Sequence, residues 1–225
     1  MSADVQNMFA RIAPKYDFLN RVLSAQRDVG WRRSALDLLD GHPQDVLDLA
    51  CGTFDLGIEA IARGKAKRIH ACDFVHNMLV AGGSKRRGKA ISAAVGDALH
   101  LPYATGAFDG ALLAYGWRNF DSPDTALKEL RRVIRPGGQL LILEFFRPVD
   151  AWPKLFYSTF GRYVIPTVGK LLSGDGAAYR YLNDSIWRFM TVEEAEVLFV
   201  ANGFTVPKRL TCFGGVSHGL AAHRL

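Results

Sequence analysis

Short apolar runs alternate with segments of helical periodicity through the middle of the chain. Five such runs predict β-strands at residues 45–50, 68–73, 91–96, 108–115 and 139–145. Strands separated by helices favour a parallel sheet, because each crossover helix packs back on a face of the sheet. Two further runs, 204–213 and 216–225, meet at a Gly-Gly pair and predict a closing antiparallel hairpin. The pattern therefore predicts an α/β, doubly wound, seven-stranded and mostly parallel sheet.

Helical segments flank this alternation. Apolar residues at helical spacing over residues 1–40, interrupted at Pro14, predict N-terminal helices that end near residue 41. A later helix has clear ends, since Ser122 suits the N-cap, a proline follows it, and the Arg-Pro-Gly-Gly run 135–138 stops it. The strand at 139–145 is predicted to follow that turn directly.

The segment 151–174 is aromatic and basic, and it contains no Asp or Glu. Aromatic and cationic side chains are interleaved in it: Trp152, Lys154, Phe156, Tyr157, Phe160, Arg162, Tyr163 and Lys170. This composition suits a helical cover that faces lipid. It equally suits an ordinary insertion packed on the core, and the pattern alone leaves both interpretations open.

Composition indicates one globular domain. A chain of 225 residues that is 49% hydrophobic can bury a full core, and 22% charged residues argue against disorder. The cysteines, Cys51, Cys72 and Cys212, lack disulfide or metal spacing, which favours reduced thiols and a cytoplasmic setting. Neither a signal peptide nor a membrane span is predicted. The net charge of +6 favours an anionic partner, whether membrane surface, nucleic acid or acidic substrate.

The first two predicted strands carry the pattern of a nucleotide-binding unit. Gly52 and Thr53 form a turn between the first strand and a helix, and Asp73 ends the second strand. The glycine lets backbone approach a ligand, the helix N-terminus offers free N–H groups, and the acid can accept both ribose hydroxyls. Because a G-x-G-x-x-G fingerprint is absent, an adenosyl ligand without phosphates fits better than NAD.

Motifs along nearly the whole chain carry a family resemblance. Those shared by many class I methyltransferases are Leu47 to Thr53, Asp97-Ala98 and Arg135 to Gly138. More specific are Tyr16-Asp17 within residues 9–24, Gly116-Trp117-Arg118-Asn119, and Gly174-Asp175 followed by Tyr179-Arg180-Tyr181-Leu182. The chain resembles the ubiquinone/menaquinone-biosynthesis C-methyltransferases. That resemblance implies a Rossmann-like sheet in a single domain, 1–225, with an N-terminal helical cap at 1–40 and a substrate-cover insertion at 151–190.

The resemblance implies S-adenosylmethionine as the cofactor. Gly52 and Thr53 would contact it near the methionine moiety, and Asp73 would hold the ribose hydroxyls. Asp97 would accept a hydrogen bond from the adenine amino group, with Ala98 beside the base. Carboxylate acceptors suit these hydroxyl and amine donors.

The same resemblance implies methylation of a ring carbon of a reduced polyprenyl quinone precursor. Such a carbon becomes a good nucleophile when a neighbouring phenol loses its proton, so the site must align methyl and carbon and assist deprotonation. Arg118, with Asn119, is the predicted catalytic pair. A guanidinium is not a free base at neutral pH, but it can stabilise a phenolate or orient a water. Tyr16, Tyr115 and Phe156 are predicted to bind the substrate.

A lipophilic quinol substrate also implies transient contact with an anionic membrane surface. We expect a cytoplasmic protein peripheral to the inner face of the membrane, with no nucleic-acid partner, and leave open whether it forms a homo-oligomer. No metal site is expected, because His70, His76 and His100 lack ligand spacing.

Two positions depart from the family pattern. Ala114, assigned to the cofactor site, stands where relatives often have serine, and Phe54 stands where they normally have glycine. Phenylalanine tolerates positive φ poorly. We expect its ring to crowd the methionine end of the cofactor; the alternative buries the ring in the core.

Three other functions stay open. A methyltransferase acting on another small aromatic would share the cofactor site. The basic runs 63–68 and 85–89 suggest a nucleic-acid methyltransferase, although such runs are usually solvated faces. Phe54 suggests a catalytically altered or inactive relative that uses the fold for binding.

Overall fold

A seven-stranded sheet forms the centre of the fold. Its strands are β1 (Asp45–Leu49), β2 (Arg68–Asp73), β3 (Ile91–Val95), β4 (Phe108–Ala114), β5 (Ile134–Glu144), β6 (Lys208–Cys212) and β7 (Ser217–His223). The order is β3-β2-β1-β4-β5-β7-β6. The first five strands are parallel, and β7 is antiparallel to both β5 and β6. The predicted mostly parallel sheet with an antiparallel C-terminal pair is confirmed.

The computed structural model describes residues 3–173 and 176–225, so the motif residues Gly174 and Asp175 lie outside the described residues, as does the side chain of Lys170. The α-helices are α1 (Ala3–Ile12), α2 (Tyr16–Leu23), α3 (Arg27–Leu36), α4 (Asp55–Ala62), α5 (His76–Ala81), α6 (Pro123–Val133), α7 (Ala151–Phe156), α8 (Ile165–Ser173), α9 (Gly176–Arg188) and α10 (Val192–Ala201). A 3₁₀ turn containing Pro14, Ala13–Lys15, separates α1 from α2, and a π-helix, Tyr157–Val164, joins α7 to α8.

Alternate residues of the strands feed two hydrophobic cores, one on each face of the sheet. Leu47 belongs to the core that α6 and α10 cover, with Leu127 and Phe199. Its neighbour Val46 faces the other way, into the core that holds Leu36 of α3 and Ala60 of α4. This period of two is the strand geometry that the apolar runs predicted.

Three element boundaries differ from the prediction by more than two residues. Strand β6 begins at Lys208 and not at residue 204, since Phe204 forms only an isolated bridge with Arg224. Helix α3 ends at Leu36, five residues before residue 41. Leu39 belongs to the turn after the helix and packs into the core from there, so its apolar side chain is not evidence of a longer helix. Strand β5 begins at Ile134, which pairs with Phe108 ahead of an irregularity in the β4–β5 ladder, so the 135–138 run lies within the strand. The end of α6 at Val133 and its Ser122 cap agree with the prediction: the Ser122 hydroxyl accepts from the Thr125 amide at 3.2 Å.

The helices from 151 to 188 present apolar residues both inward and outward. Tyr157 is buried, and Phe156 stacks on Phe160 with 5.1 Å between ring centroids. Outward, the exposed fractions are 56% for Leu155 and 64% for Tyr163. Within the described residues, no helix combines the length and the apolar character needed to cross a membrane.

Candidate active site

Four parallel strands, β1 to β4, end at one edge of the sheet, and a cavity opens there. We call it the rim cavity. It is bordered by residues that end those strands or follow them closely, including Gly52, Asp73, Asp97, Ala98 and Ala114. The structure therefore brings together five of the six predicted cofactor residues, as the shared direction of parallel strands requires.

Asp73 holds the turn after β1 and the turn after β2 through hydrogen bonds. Its carboxylate accepts the Gly52 amide at 2.8 Å and the Val75 amide at 2.8 Å. Burial raises the pKa of Asp73, and these two hydrogen bonds offset part of that effect. Gly52 has φ +52°, and a Cβ there would meet only the Tyr16 ring, at 3.8 Å. The Gly52 backbone thus leaves room for a ligand.

Strained backbone occurs in the turns that follow β1 and β4. Ala50, Phe54 and Tyr115 have φ values of 49°, 71° and 58°, in the left-handed region that non-glycine residues seldom adopt. Gly116 allows the loops after β1 and β4 to meet, because a Cβ there would lie 2.6 Å from the Ala50 Cβ. Such strain costs on the order of 1–3 kcal/mol per residue and is typical of binding sites.

A second cavity, the inner cavity, lies between the sheet and the N-terminal and 151–188 helices. Its walls are mainly apolar and include Met8, Ile12, Leu19, Phe156, Ile165 and Leu182. Phe9, Tyr16 and Tyr115 line both cavities and so stand between them. Burial raises the pKa of both tyrosines, so their hydroxyls stay protonated at neutral pH. All three predicted substrate-binding residues line the inner cavity.

Arg118 is a buried cation on the wall of the inner cavity. Its Nη1 donates to Glu144 at 2.6 Å and to the Tyr115 carbonyl at 2.6 Å, while Nε donates to Ser185 at 3.2 Å. Burial opposes the charge, but the Glu144 carboxylate raises the pKa of Arg118 above its ordinary value. Nη2 has no hydrogen bond to any residue that the structure describes, which leaves it available to a substrate oxygen.

Glu144 holds this arginine, and sequence reasoning gave it no role. It is fully buried, and it also accepts the backbone amides of Arg118 at 3.2 Å and Phe145 at 2.8 Å. A carboxylate at the end of an apolar strand is costly to bury without a partner. The acid near the end of the apolar run 139–145 could therefore have indicated a buried cation nearby. Asn119 lies instead on the rim cavity, where its Oδ1 accepts the Tyr181 hydroxyl at 3.0 Å.

Thr53 does not border the rim cavity. It is buried, and its hydroxyl donates to Asp17 and accepts from Lys85 Nζ at 3.2 Å. Lys85 also donates to Asp17 at 2.7 Å and is paired with Asp55. Asp55 in turn accepts from Arg21 at 2.8 Å. Sequence reasoning missed this ion network, in which Lys85 of the basic 85–89 run takes part.

Phe54 does not crowd the rim cavity, so that expectation is wrong. The side chain is fully buried in the core formed with α3 and α4. The Arg86 guanidinium lies 5.8 Å from the ring centroid. The ring packs closely on Gly82, since a Cβ there would lie 2.7 Å from Phe54 Cδ2.

Comparison with known proteins assigns the family. A family model described as the ubiE/COQ5 methyltransferase family matches residues 1–223. The chain belongs to this family. It is 42% identical over 210 residues to a demethylmenaquinone methyltransferase of Thermus thermophilus, covering 92% of this chain and 96% of that one. It is 36% identical over 217 residues to a ubiquinone/menaquinone biosynthesis C-methyltransferase UbiE of Syntrophotalea carbinolica, covering 95% and 91%.

Solved structures with lower identity share the fold of this family member. A possible histamine N-methyltransferase of Thermotoga maritima aligns with a TM-score of 0.67 at 17% identity, covering 98% of this chain and 100% of that one. Human N-acetylserotonin methyltransferase, solved with S-adenosylmethionine, aligns with a TM-score of 0.64 at 16% identity, covering 92% and 55%. The protein is an S-adenosylmethionine-dependent methyltransferase, as its sequence predicted. Among the described residues, no group of three or more His, Cys, Asp or Glu is placed to hold a metal.

Proposed function

We propose that this protein methylates a ring carbon of a reduced polyprenyl quinone precursor, of the demethylmenaquinol or ubiquinone-pathway type. The observation that carries the proposal is the position of Arg118, a buried cation on an apolar cavity that adjoins the rim cavity across Tyr16 and Tyr115. An apolar cavity suits a prenylated ring, and a cation on its wall suits an oxygen that becomes negative. The names of the curated relatives support the same substrate class.

The rim cavity fits the cofactor. We infer that the Gly52 backbone adjoins the methionine moiety and that Asp73 accepts the ribose hydroxyls, since each of its carboxylate oxygens keeps a lone pair beyond its amide bond. We also infer that Asp97 accepts a hydrogen bond from the adenine amino group and that Ala98 lies beside the base. Ala114, the last residue of β4, borders the same cavity. When bound, S-adenosylmethionine supplies an electrophilic methyl group, whose S–C bond breaks as the bond to the ring carbon forms.

The residues of the inner cavity prepare the ring. Arg118 Nη2 donates to the phenol oxygen next to the reacting carbon and favours its ionised form, so the phenol proton leaves to water. Glu144 fixes the guanidinium and keeps it charged. Tyr16 and Tyr115 exclude water between the two cavities. After methyl transfer the hydrogen on the methylated carbon leaves as a proton, which restores the aromatic ring.

We also infer that the helices over the inner cavity touch an anionic membrane, where a prenylated substrate resides. Exposed apolar residues occur on α2 and on the 151–173 segment: Phe18, Val22, Trp152, Leu155, Tyr163, Val164 and Leu171. Lys154 and Arg162 are exposed among them. Apolar residues interleaved with cations are typical of an interfacial surface.

The function is tested by methyl transfer from labelled S-adenosylmethionine to a short-chain prenyl dihydroxynaphthalene, with the oxidised quinone and RNA as competing acceptors. We expect methylation of the reduced compound alone. Arg118→Lys keeps the charge but loses the planar fork, and should lower kcat by roughly 10²–10³ without changing cofactor affinity. Arg131→Lys, at an exposed position, is the matched control. Methylation of RNA in preference to the quinol, or wild-type kcat in Arg118→Lys, would reject the proposal.

A further inference from the structure

Asn183, on α9, carries a buried polar atom without a partner. The residue is 9% exposed and lines the inner cavity. Its Oδ1 accepts no hydrogen bond from the described residues. The oxygen lies against Gly161 of the π-helix, where a Cβ would come within 2.6 Å of it. Buried polar atoms without partners are rare in folded proteins, and each calls for an explanation.

Two hydroxyls of the same cavity already have partners, whereas the Tyr115 hydroxyl, at the boundary with the rim cavity, has none among the described residues. The Tyr157 hydroxyl donates to the Val216 carbonyl at 2.6 Å, and the Tyr181 hydroxyl donates to Asn119. Asn183 therefore differs from these neighbours in having bonding capacity to offer. Rotation about its Cβ–Cγ bond, a soft torsion, exchanges the amide oxygen and nitrogen, so the side chain can offer an acceptor or a donor to the cavity that it lines.

Asn183 and the arginine anchor line the same cavity. Arg118 and Asn183 both belong to the wall of the inner cavity, whose other lining residues are mainly apolar. Ser185, which accepts from Arg118 Nε, lies two residues after Asn183 on α9 and so points to another side of that helix. A flat ring bound in the inner cavity would therefore meet two polar side chains, one from the loop after β4 and one from α9.

We propose that the Asn183 carboxamide binds the second hydroxyl of the quinol, the one para to the hydroxyl held by Arg118. This assignment rests on the proposed function and adds a specificity-determining residue to it. A ring held at both oxygens is limited to the few orientations that keep one hydroxyl on Arg118, so a carbon beside that oxygen can face Tyr16, Tyr115 and the rim cavity. A ring without the second hydroxyl would leave the carboxamide unpaired.

The test is a binding cycle under anaerobic conditions. Its ligands are a prenylated 1,4-dihydroxynaphthalene and the same compound lacking the remote hydroxyl, measured by calorimetry. We expect the wild type to bind the diol about tenfold to a hundredfold more tightly. Asn183→Leu should bind both ligands with equal affinity, and its melting temperature should not fall, because the change removes an unpaired polar atom. Asn183→Asp, which keeps an acceptor, should retain the preference, and so should the control Asn7→Leu at an exposed position.

Two outcomes separate the assignment from the function it rests on. If Asn183→Leu keeps the wild-type preference for the diol, or if the wild type has none, the role of Asn183 is rejected even though the wild type methylates the diol. If the binding cycle gives the expected result but the wild type transfers no methyl group to the diol, the assignment stands and the proposed function fails.

Discussion

Phe54 shows how a single side chain can keep an unfavourable backbone angle. Its φ of 71° costs on the order of 1–3 kcal/mol. Full burial of a phenylalanine contributes about 1.5–3 kcal/mol, so burial offsets the strain. The glycine expected at this position would relieve the strain and lose the packing. The departure from the family pattern is therefore an exchange within the core, and it leaves the rim cavity open.

Phe54→Gly should destabilise the fold and leave cofactor binding unchanged. Loss of the buried ring should lower the free energy of unfolding by about 3–5 kcal/mol. Relief of the left-handed strain should raise it by about 1–3 kcal/mol. We expect a net loss of about 2 kcal/mol in thermal unfolding. Calorimetric titration of the folded variant with S-adenosylmethionine should give the wild-type Kd. A tighter Kd would place the ring against the cofactor after all.

Asp48, in β1, makes the stability of the protein depend on pH. It is buried, and its Oδ2 accepts the Gly57 amide at 3.0 Å. Burial raises its pKa to about 7. The unfolded value is about 3.9, so between about pH 4 and pH 7 the native state binds the extra proton. The free energy of unfolding therefore falls as pH rises through this window, and the stabilisation is lost above about pH 7.

Asp48→Asn should remove this dependence while keeping an acceptor for Gly57. Urea unfolding from pH 4 to pH 8 measures it. The free energy of unfolding of the variant, minus that of the wild type, should rise by roughly 4 kcal/mol from pH 4 to pH 8. Each tenfold difference in proton affinity between the native and unfolded states is worth about 1.4 kcal/mol. Comparing the two proteins cancels the titration of other groups. Parallel stability curves would mean that Asp48 titrates normally in the native state.

At the scale of elements, periodicity located the sheet but could not assign the cover. The strands were predictable because β1 alternates between two cores, a pattern written into consecutive residues such as Val46 and Leu47. The π-helix was not predictable from spacing. It packs through tertiary contacts, such as Gly161 against Asn183, and the local sequence pattern does not show such contacts. The 151–173 segment mixes inward and outward aromatics, so its two interpretations were inseparable in sequence.

The outward side chains of that segment should carry the proposed membrane contact. Leu155, Tyr163 and Leu171 are more exposed than Phe156 and Phe160, so they are the residues to change. A triple serine variant should reduce flotation with phosphatidylglycerol vesicles about tenfold or more.

The matched control is Val197→Ser with Val206→Ser, two exposed residues outside the segment. Salt should weaken binding of all variants, because Lys154 and Arg162 act through screened charges. Equal flotation of the triple variant and the wild type would assign the segment to packing alone.

At the scale of the whole molecule, an ion network joins the N-terminal helices to the turn that follows β1. Asp17 of α2 accepts from Lys85, which follows α5, and Arg21 of α2 donates to Asp55 at the start of α4. Lys85 is also paired with Asp55, which links the two contacts. Sequence reasoning could place the cofactor acids, because strand ends share one edge of a sheet. It could not find this network, whose members come from separate segments and share no spacing.

Lys85→Met tests whether this network holds the cap over the rim cavity. The substitution keeps the length of the side chain but leaves Asp17 and Asp55 without their shared cation. Because Asp55 is only 16% exposed, losing a partner there costs about 1–3 kcal/mol. We expect faster hydrogen exchange in α2 and a several-fold weaker S-adenosylmethionine affinity, since Tyr16 of α2 borders both cavities. Lys89→Met, at an exposed position of the same basic run, should change neither. If hydrogen exchange in α2 stays slow in Lys85→Met, apolar packing alone holds the N-terminal helices in place. The ion network would then contribute nothing to their position.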